Sequence, residues 1–202
     1  MKVIEQLLVN AGISPIAGVD EAGRGACAGP LVIASVVLND PFAAELAVVR
    51  DSKEISESKR DAIFDLIHSV AASVSVVIVP AAEVDSRGVH AANLDGMRRA
   101  VQGLSIEPAY VLTDGYAIEG LGVPNLAVWK GDQVVVSISA ASVIAKVTRD
   151  RIMRELDAEF PQYGFAGHKG YITAAHTKAL NEHGPCAEHR TSFANVAALI
   201  HK

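Results

Sequence analysis

The residues best suited to chemistry are Asp20, Glu21, Asp114 and Asp132. Asp20 and Glu21 follow the apolar stretch 15-PIAGVD-20. Asp114 ends a second stretch, 109-AYVLTDG-115, and Asp132 ends a third, 125-NLAVWKGD-132. Each stretch reads as a β-strand. If the three strands are parallel neighbours, their carboxylates gather at one edge of the sheet, where open α/β sheets bind ligands. Carboxylates so gathered repel one another unless cations neutralise them. Hard oxygen ligands suit Mg²⁺ or Mn²⁺. Two such ions about 3.5–4 Å apart form the usual clamp for phosphodiester cleavage. Taken singly, each acid has a plainer reading. Asp114-Gly115 suits a turn, Asp132 suits a helix N-terminus, and Asp20-Glu21 could be hairpin residues paired with Arg24.

The loop after the first acids, 20-DEAGRGACAG-29, is rich in glycine. Gly23, Gly25 and Gly29 miss the dinucleotide fingerprint, because the third glycine falls one residue late and a strand follows instead of a helix. No Gly-Lys-Ser/Thr follows, which excludes a P-loop. A hairpin loop that needs positive φ angles fits as well.

The rest of the chain must position these groups. Residues 3–10 read as a short helix. The runs 15–20, 31–38, 71–80, 109–115 and 125–132 read as five strands, the first two joined as a hairpin. Helices are expected from about 56 to 69, 90 to 104, 137 to 160 and 173 to 183. Pro161 ends the long one, and Gly184-Pro185 ends the last. Early strands followed by alternating strands and helices make an α/β domain with a mixed sheet.

Composition sets the outer limits. The 202 residues are half hydrophobic and one-fifth charged, as in an ordinary globular protein. Cys27 and Cys186 are too few for a disulfide framework, and reduced thiols are expected. The N-terminal MKVIEQLLVNAG lacks a signal-peptide core, and no apolar run reaches membrane-spanning length, so a cytoplasmic location is expected. The net charge of −5 disfavours a polyanion at first sight, but residues 1–129 carry 9 basic and 16 acidic groups, whereas 130–202 carry 9 and 7. An acidic protein can still bind nucleic acid when its acids hold metal ions.

The motifs, taken in order, resemble bacterial ribonuclease HII, a type 2 ribonuclease H. They are 20-DEAGRG-25 with 28-AGP-30, 51-DSK-53, 114-DG-115, 130-KGD-132, 137-SISAASVIAKVTRD-150, 168-HKGY-171 and 189-HRTSF-193. Any one is weak; the ordered set spans nearly the whole chain. The resemblance implies a ribonuclease H-like fold, a mixed five-stranded sheet flanked by helices. It implies a catalytic domain over 1–160 and a C-terminal helical extension over 161–202 that contributes substrate contacts. The implied activity is metal-dependent cleavage of the RNA strand of RNA–DNA hybrids, and incision 5′ to single ribonucleotides in duplex DNA. It would leave 3′-hydroxyl and 5′-phosphate ends, with two Mn²⁺ or Mg²⁺ ions per site. The family's metal-site acids fall on Asp20, Glu21, Asp114 and Asp132, with Asp20 the candidate to bridge the ions. Its Gly-Arg-Gly element falls on Gly23, Arg24 and Gly25, and its substrate-sensing tyrosine on Tyr171. Ser139 stands where many relatives have alanine, and the longer tail of some relatives is not expected.

Lys53, Lys146, Arg149, Lys169 and Arg190 are candidate phosphate contacts. The histidines of the last third, His168, His176, His183 and His189, form no helical His-x-x-x-His pair, so a zinc site is not expected. A monomer is expected. The alternatives are another nuclease of the same superfold, such as a type 1 ribonuclease H or a resolvase, and a catalytically silent hybrid-binding protein. The intact acidic set disfavours the last.

Overall fold

The computed structural model describes residues 3–51 and 56–200. Five strands form one sheet: β1 Ile16–Ala22, β2 Leu31–Leu38, β3 Ala71–Val79, β4 Tyr110–Asp114 and β5 Asn125–Val128. Their order is β3-β2-β1-β4-β5. β1 pairs antiparallel with β2, and β2 with β3, while β1, β4 and β5 run parallel. The mixed sheet and the expected hairpin are therefore present. β1 extends through Ala22, which places Asp20 and Glu21 inside its last turn of pleat rather than beyond it.

The helices are α1 Val3–Asn10, α2 Glu57–Val70, α3 Ala81–Arg87, α4 Val89–Gln102, α5 Gly131–Val134, α6 Val136–Glu159, α7 Phe165–His168, α8 Ala174–His183 and α9 Ala194–Ile200. A 3-10 helix spans Ala44–Asp51. The long helices lie where apolar periodicity places them. The 3-10 helix, α3, α5, α7 and α9 have no counterpart in the periodicity, being too short to show one. β5 ends at Val128, four residues earlier than expected. Lys130 turns into the left-handed region and α5 begins at once.

β2 is buried on both faces. Val32, Ala34, Val36 and Leu38 pack toward α2 and α6, whereas Leu31, Ile33 and Val37 pack toward α4. That strict alternation makes it a central strand with helical layers on both sides. α6 lies directly on β1: a Cβ at Gly18 would collide with the Ser137 backbone. The start of α6 is fixed from α1. Buried Glu5 accepts hydrogen bonds from the amides of Val136 (2.8 Å) and Ser137 (3.0 Å), which are orphan donors of the helix N-terminus.

The segment after α6 folds back onto the glycine loop between β1 and β2. Cys27 N–H donates to Gly170, Gly29 N–H to Glu188, and Arg190 N–H to Cys27. Behind this seam sits a histidine pair. His176 Nδ1 is 3.0 Å from the Tyr171 carbonyl and so must donate to it. His176 Nε2 then accepts from His189 Nε2 at 3.1 Å, and His189 Nδ1 accepts from the Cys186 amide at 3.0 Å. Both rings must be neutral to complete this chain. Burial lowers the pKa of each; for His189 burial and then the neighbouring His176 bring it down to about 4.

Two expectations follow. Glu5→Ala strands two buried amides and should cost about 2–3 kcal/mol in urea unfolding. The unfolded His189 binds a proton below about pH 6.5 and the folded one only below about 4, so its contribution is complete above 6.5 and shrinks as pH falls toward 4. Stability compared at pH 7 and pH 5 should drop less in His189→Gln than in the wild type. An identical drop in both proteins would remove His189 as its source.

Candidate active site

At the carboxyl ends of β1 and β4 a cleft of about 400 Å³ opens. Asp20, Glu21 and Asp114 line one side, and the loop Gly23–Gly25 with Tyr171 lines another. Pairing explains why the acids meet. Val19 stands opposite Thr113 in the parallel ladder, so Asp20 and Asp114 follow at the same level on adjacent strands. The Asp114 carboxylate accepts the Gly131 amide at 2.8 Å, tying β4 to the turn that carries Asp132. Asp132 itself is buried at the start of α5 and does not line the cleft; its carbonyl accepts the Ser139 hydroxyl.

The carboxylates are held in an unfavourable environment. Burial, then the charges of Glu21 and Asp114, hold the Asp20 carboxyl well above the usual carboxylate range. The Ser142 hydroxyl and the Glu21 amide, the latter at 2.7 Å, oppose that rise. Burial also pushes Glu21 up to about 7; Arg24 pulls it down and Asp114 pushes it up. Glu21 Oε2 is buried without a hydrogen-bond partner. Asn93 on α4 turns its wholly buried amide toward the same carboxyl and lowers that carboxyl's pKa, although the amide is not aligned to complete a hydrogen bond with it.

These features fit a hard divalent cation. The donors are carboxylate oxygens, one is orphaned, and a cation would remove the repulsion that raises their pKa values. Among the described residues no three acidic, His or Cys groups already stand as a ready-made ligand shell. The acids share a cleft, and an ion would have to draw them together.

The Gly-Arg-Gly element divides into three roles. Gly23 has φ +88°, and a Cβ there would run into the Arg149 side chain, so the fold itself requires glycine. The Arg24 guanidinium stacks over Tyr116 at 4.6 Å. A Cβ on Gly25 would meet nothing within 4 Å, so its bareness leaves room in the cleft rather than in the core.

Two of the candidate phosphate contacts need correction. Arg149 and Arg190 are buried at 1% and 0% exposure. Arg149 donates to the carbonyls of Pro30, Lys169 and Ala28 at 2.8–3.0 Å. Arg190 donates to those of Gly29 and Arg24 at 2.9–3.2 Å. They brace the glycine loop from behind, because guanidinium forks satisfy several main-chain carbonyls at once. Lys169 turns its ammonium back onto the Ala166 carbonyl and does not line the cleft. Lys146 does line it, while bonding Asp150 at 2.7 Å. Lys53 lies outside the described residues.

Ser142, Asn93 and Arg60 were not singled out by the sequence, yet Ser142 and Arg60 line the cleft and Asn93 backs it. A signal existed for Asn93. It occupies the apolar stripe of α4 that continues through Met97 and Ala100, where a polar residue needs a reason.

Comparison with known proteins accords with this geometry. The family model described as Ribonuclease HII matches residues 17–196. The Ribonuclease HII of Acidothermus cellulolyticus is 58% identical over 192 residues, covering 95% of this chain; the chain spans 62% of that protein's length. That of Parafrankia sp. is 56% identical, covering 96% of this chain and 81% of the relative. Among solved structures, the ribonuclease H2 of Pyrococcus horikoshii superposes with a TM-score of 0.79 at 26% identity, over 91% of this chain and 96% of the other. With the cleft, the sheet order and the matched span in agreement, the chain belongs to the ribonuclease HII family.

Proposed function

We propose that the protein is a divalent-metal-dependent endoribonuclease. It cleaves the RNA strand of RNA–DNA hybrids and incises 5′ to single ribonucleotides in duplex DNA, leaving 3′-hydroxyl and 5′-phosphate ends, in DNA replication and repair. One observation carries this reading: three mutually repelling carboxylates share a cleft with a bare glycine loop. Family membership supports the same activity.

Asp20, Glu21 and Asp114, which line the cleft, would hold the ions, Mn²⁺ or Mg²⁺, and Asp132, on the turn tied to Asp114, would complete the set only by moving from its buried position toward the cleft. Bound there, the ions supply an activated water and stabilise the departing oxygen. The chain does the rest. The repulsion among the acids gives the site its demand for cations. Gly25, free of a side chain, lets the backbone approach a ribose, whose 2′-hydroxyl both donates and accepts hydrogen bonds. Tyr171, 40% exposed, lines the same cleft and would pack on the neighbouring sugar. Lys146 and Arg60 bring positive charge to the cleft wall, where a phosphate would lie.

Wild-type protein given an RNA–DNA hybrid, and separately a DNA duplex with one ribonucleotide, should cut both under Mn²⁺ or Mg²⁺. Binding without any cleavage would instead identify a silent hybrid-binding protein. Cleavage of the hybrid alone would indicate type 1-like activity. Asp20→Asn should lower turnover at least about a hundredfold. Its unfolding midpoint without metal should stay unchanged or rise, since one repelling charge is gone. Near-normal turnover in the folded variant would remove Asp20 from the site. Gly25→Ala should keep stability within about 1 kcal/mol and raise KM for the single-ribonucleotide duplex. Gly23→Ala should destabilise the fold by about 1–3 kcal/mol, through both positive φ and the collision with Arg149.

A further inference from the structure

Trp129 is the chain's single tryptophan and, at 82% exposure, the most exposed large apolar side chain among the described residues. An indole left in water contributes nothing to the core, although tryptophan carries one of the largest apolar surfaces of any side chain. Its position is specific. It is the first residue past β5, whose last residue, Val128, stands opposite Asp114 in the parallel ladder. Asp132 follows three residues later.

The backbone on both sides of Trp129 is pinned to the candidate active site. Before it, the Val128 carbonyl accepts the Gly115 amide at 3.1 Å. After it, Lys130 adopts the left-handed conformation with φ 52° and ψ 44°. A lysine there costs about 1–2 kcal/mol. The Gly131 amide then donates to the Asp114 carboxylate at 2.8 Å, and a Cβ on Gly131 would crowd Ile138. The turn that presents the indole is thus the one that anchors a candidate metal ligand. Lys130 is exposed beside it. An aromatic face and an ammonium, side by side at the carboxyl edge of the sheet, match the sugars and phosphates of a nucleic acid.

We propose that Trp129 is a substrate contact, its indole lying against sugars of the bound duplex, with Lys130 directed at the adjoining phosphate. This rests on the nuclease reading given above. The strand order fixes where the contact falls. β5 stands two strand spacings from β1, roughly 10 Å. That corresponds to about three nucleotide steps at ~3.4 Å each. Tyr171 and Trp129 then grip the duplex from opposite sides of the carboxylates: Tyr171 stands by the glycine loop after β1, and Trp129 at the far end of the β1-β4-β5 row.

The lone tryptophan makes the test direct. A fluorescein-labelled DNA duplex with one ribonucleotide is titrated with the protein in Ca²⁺, and binding is followed by anisotropy. Acrylamide quenching of the indole is measured with and without saturating unlabelled duplex. Bound duplex should lower the quenching constant at least about twofold. In steady-state cleavage, Trp129→Ala should raise KM about fivefold or more with little change in kcat, and Trp129→Phe should recover part of the loss. If the wild type binds and cuts the duplex while its indole stays fully quenchable and Trp129→Ala keeps its KM, the contact is absent and the nuclease reading stands. If the wild type neither binds nor cuts, both fall.

Discussion

The contact of α6 with β1 is the constraint on which the rest depends. It is close enough to forbid a side chain at Gly18. Drawn onto the strand in this way, one helix places Ser142 beside Asp20, Lys146 on the cleft wall, and Arg149 beneath the glycine loop. The start of the helix is held by Glu5, a carboxylate delivered by α1 from 131 residues away in sequence. A buried acid on a helix N-terminus is favourable, since amides and dipole both receive it. The acids of the cleft are compensated only in part: Asp20 receives Ser142 and the Glu21 amide, Glu21 faces Arg24 and Asp114 takes the Gly131 amide, yet Asp20 and Glu21 still stand above the usual carboxylate range.

That contrast separates structural from functional charge. Glu5, Arg149 and Arg190 are almost wholly buried, and each has its polar atoms matched. Asp20 is buried with half-buried Glu21 beside it and Asp114 near, and one Glu21 oxygen has no partner. A buried group left in such a state raises its pKa or waits for a counter-ion. The site is unfinished by design of its charges, and the histidine pair behind Tyr171 is finished by design of its tautomers.

Much of this was legible in the sequence. Apolar runs bounded by turn residues mark β1 to β5, and the strand-end positions of Asp20, Glu21 and Asp114 bring them together once β1 and β4 pair in parallel. Asp132 was legible as a neighbour of that edge, but not its burial behind the cleft. What was hidden has a common cause. Arg149 and Arg190 look like surface cations in a one-dimensional reading, because a buried arginine is recognisable only once the carbonyls that satisfy it come together from distant segments. The short helices carry too few residues for a period to emerge. The early end of β5 was set by a single capture, the Gly131 amide by Asp114, which links residues 17 positions apart.

Arg190 has a consequence for how a ribose would be read. A trans peptide sets its C=O and N–H on opposite sides. Arg190 draws the Arg24 carbonyl inward, so the N–H of Gly25 across that same peptide plane is turned the other way, toward the cleft that Gly25 lines. A wholly buried guanidinium thereby sets the orientation of a hydrogen-bond donor at the cleft wall. The loop arrives already oriented, and the entropy of arranging it is spent in folding rather than at each encounter.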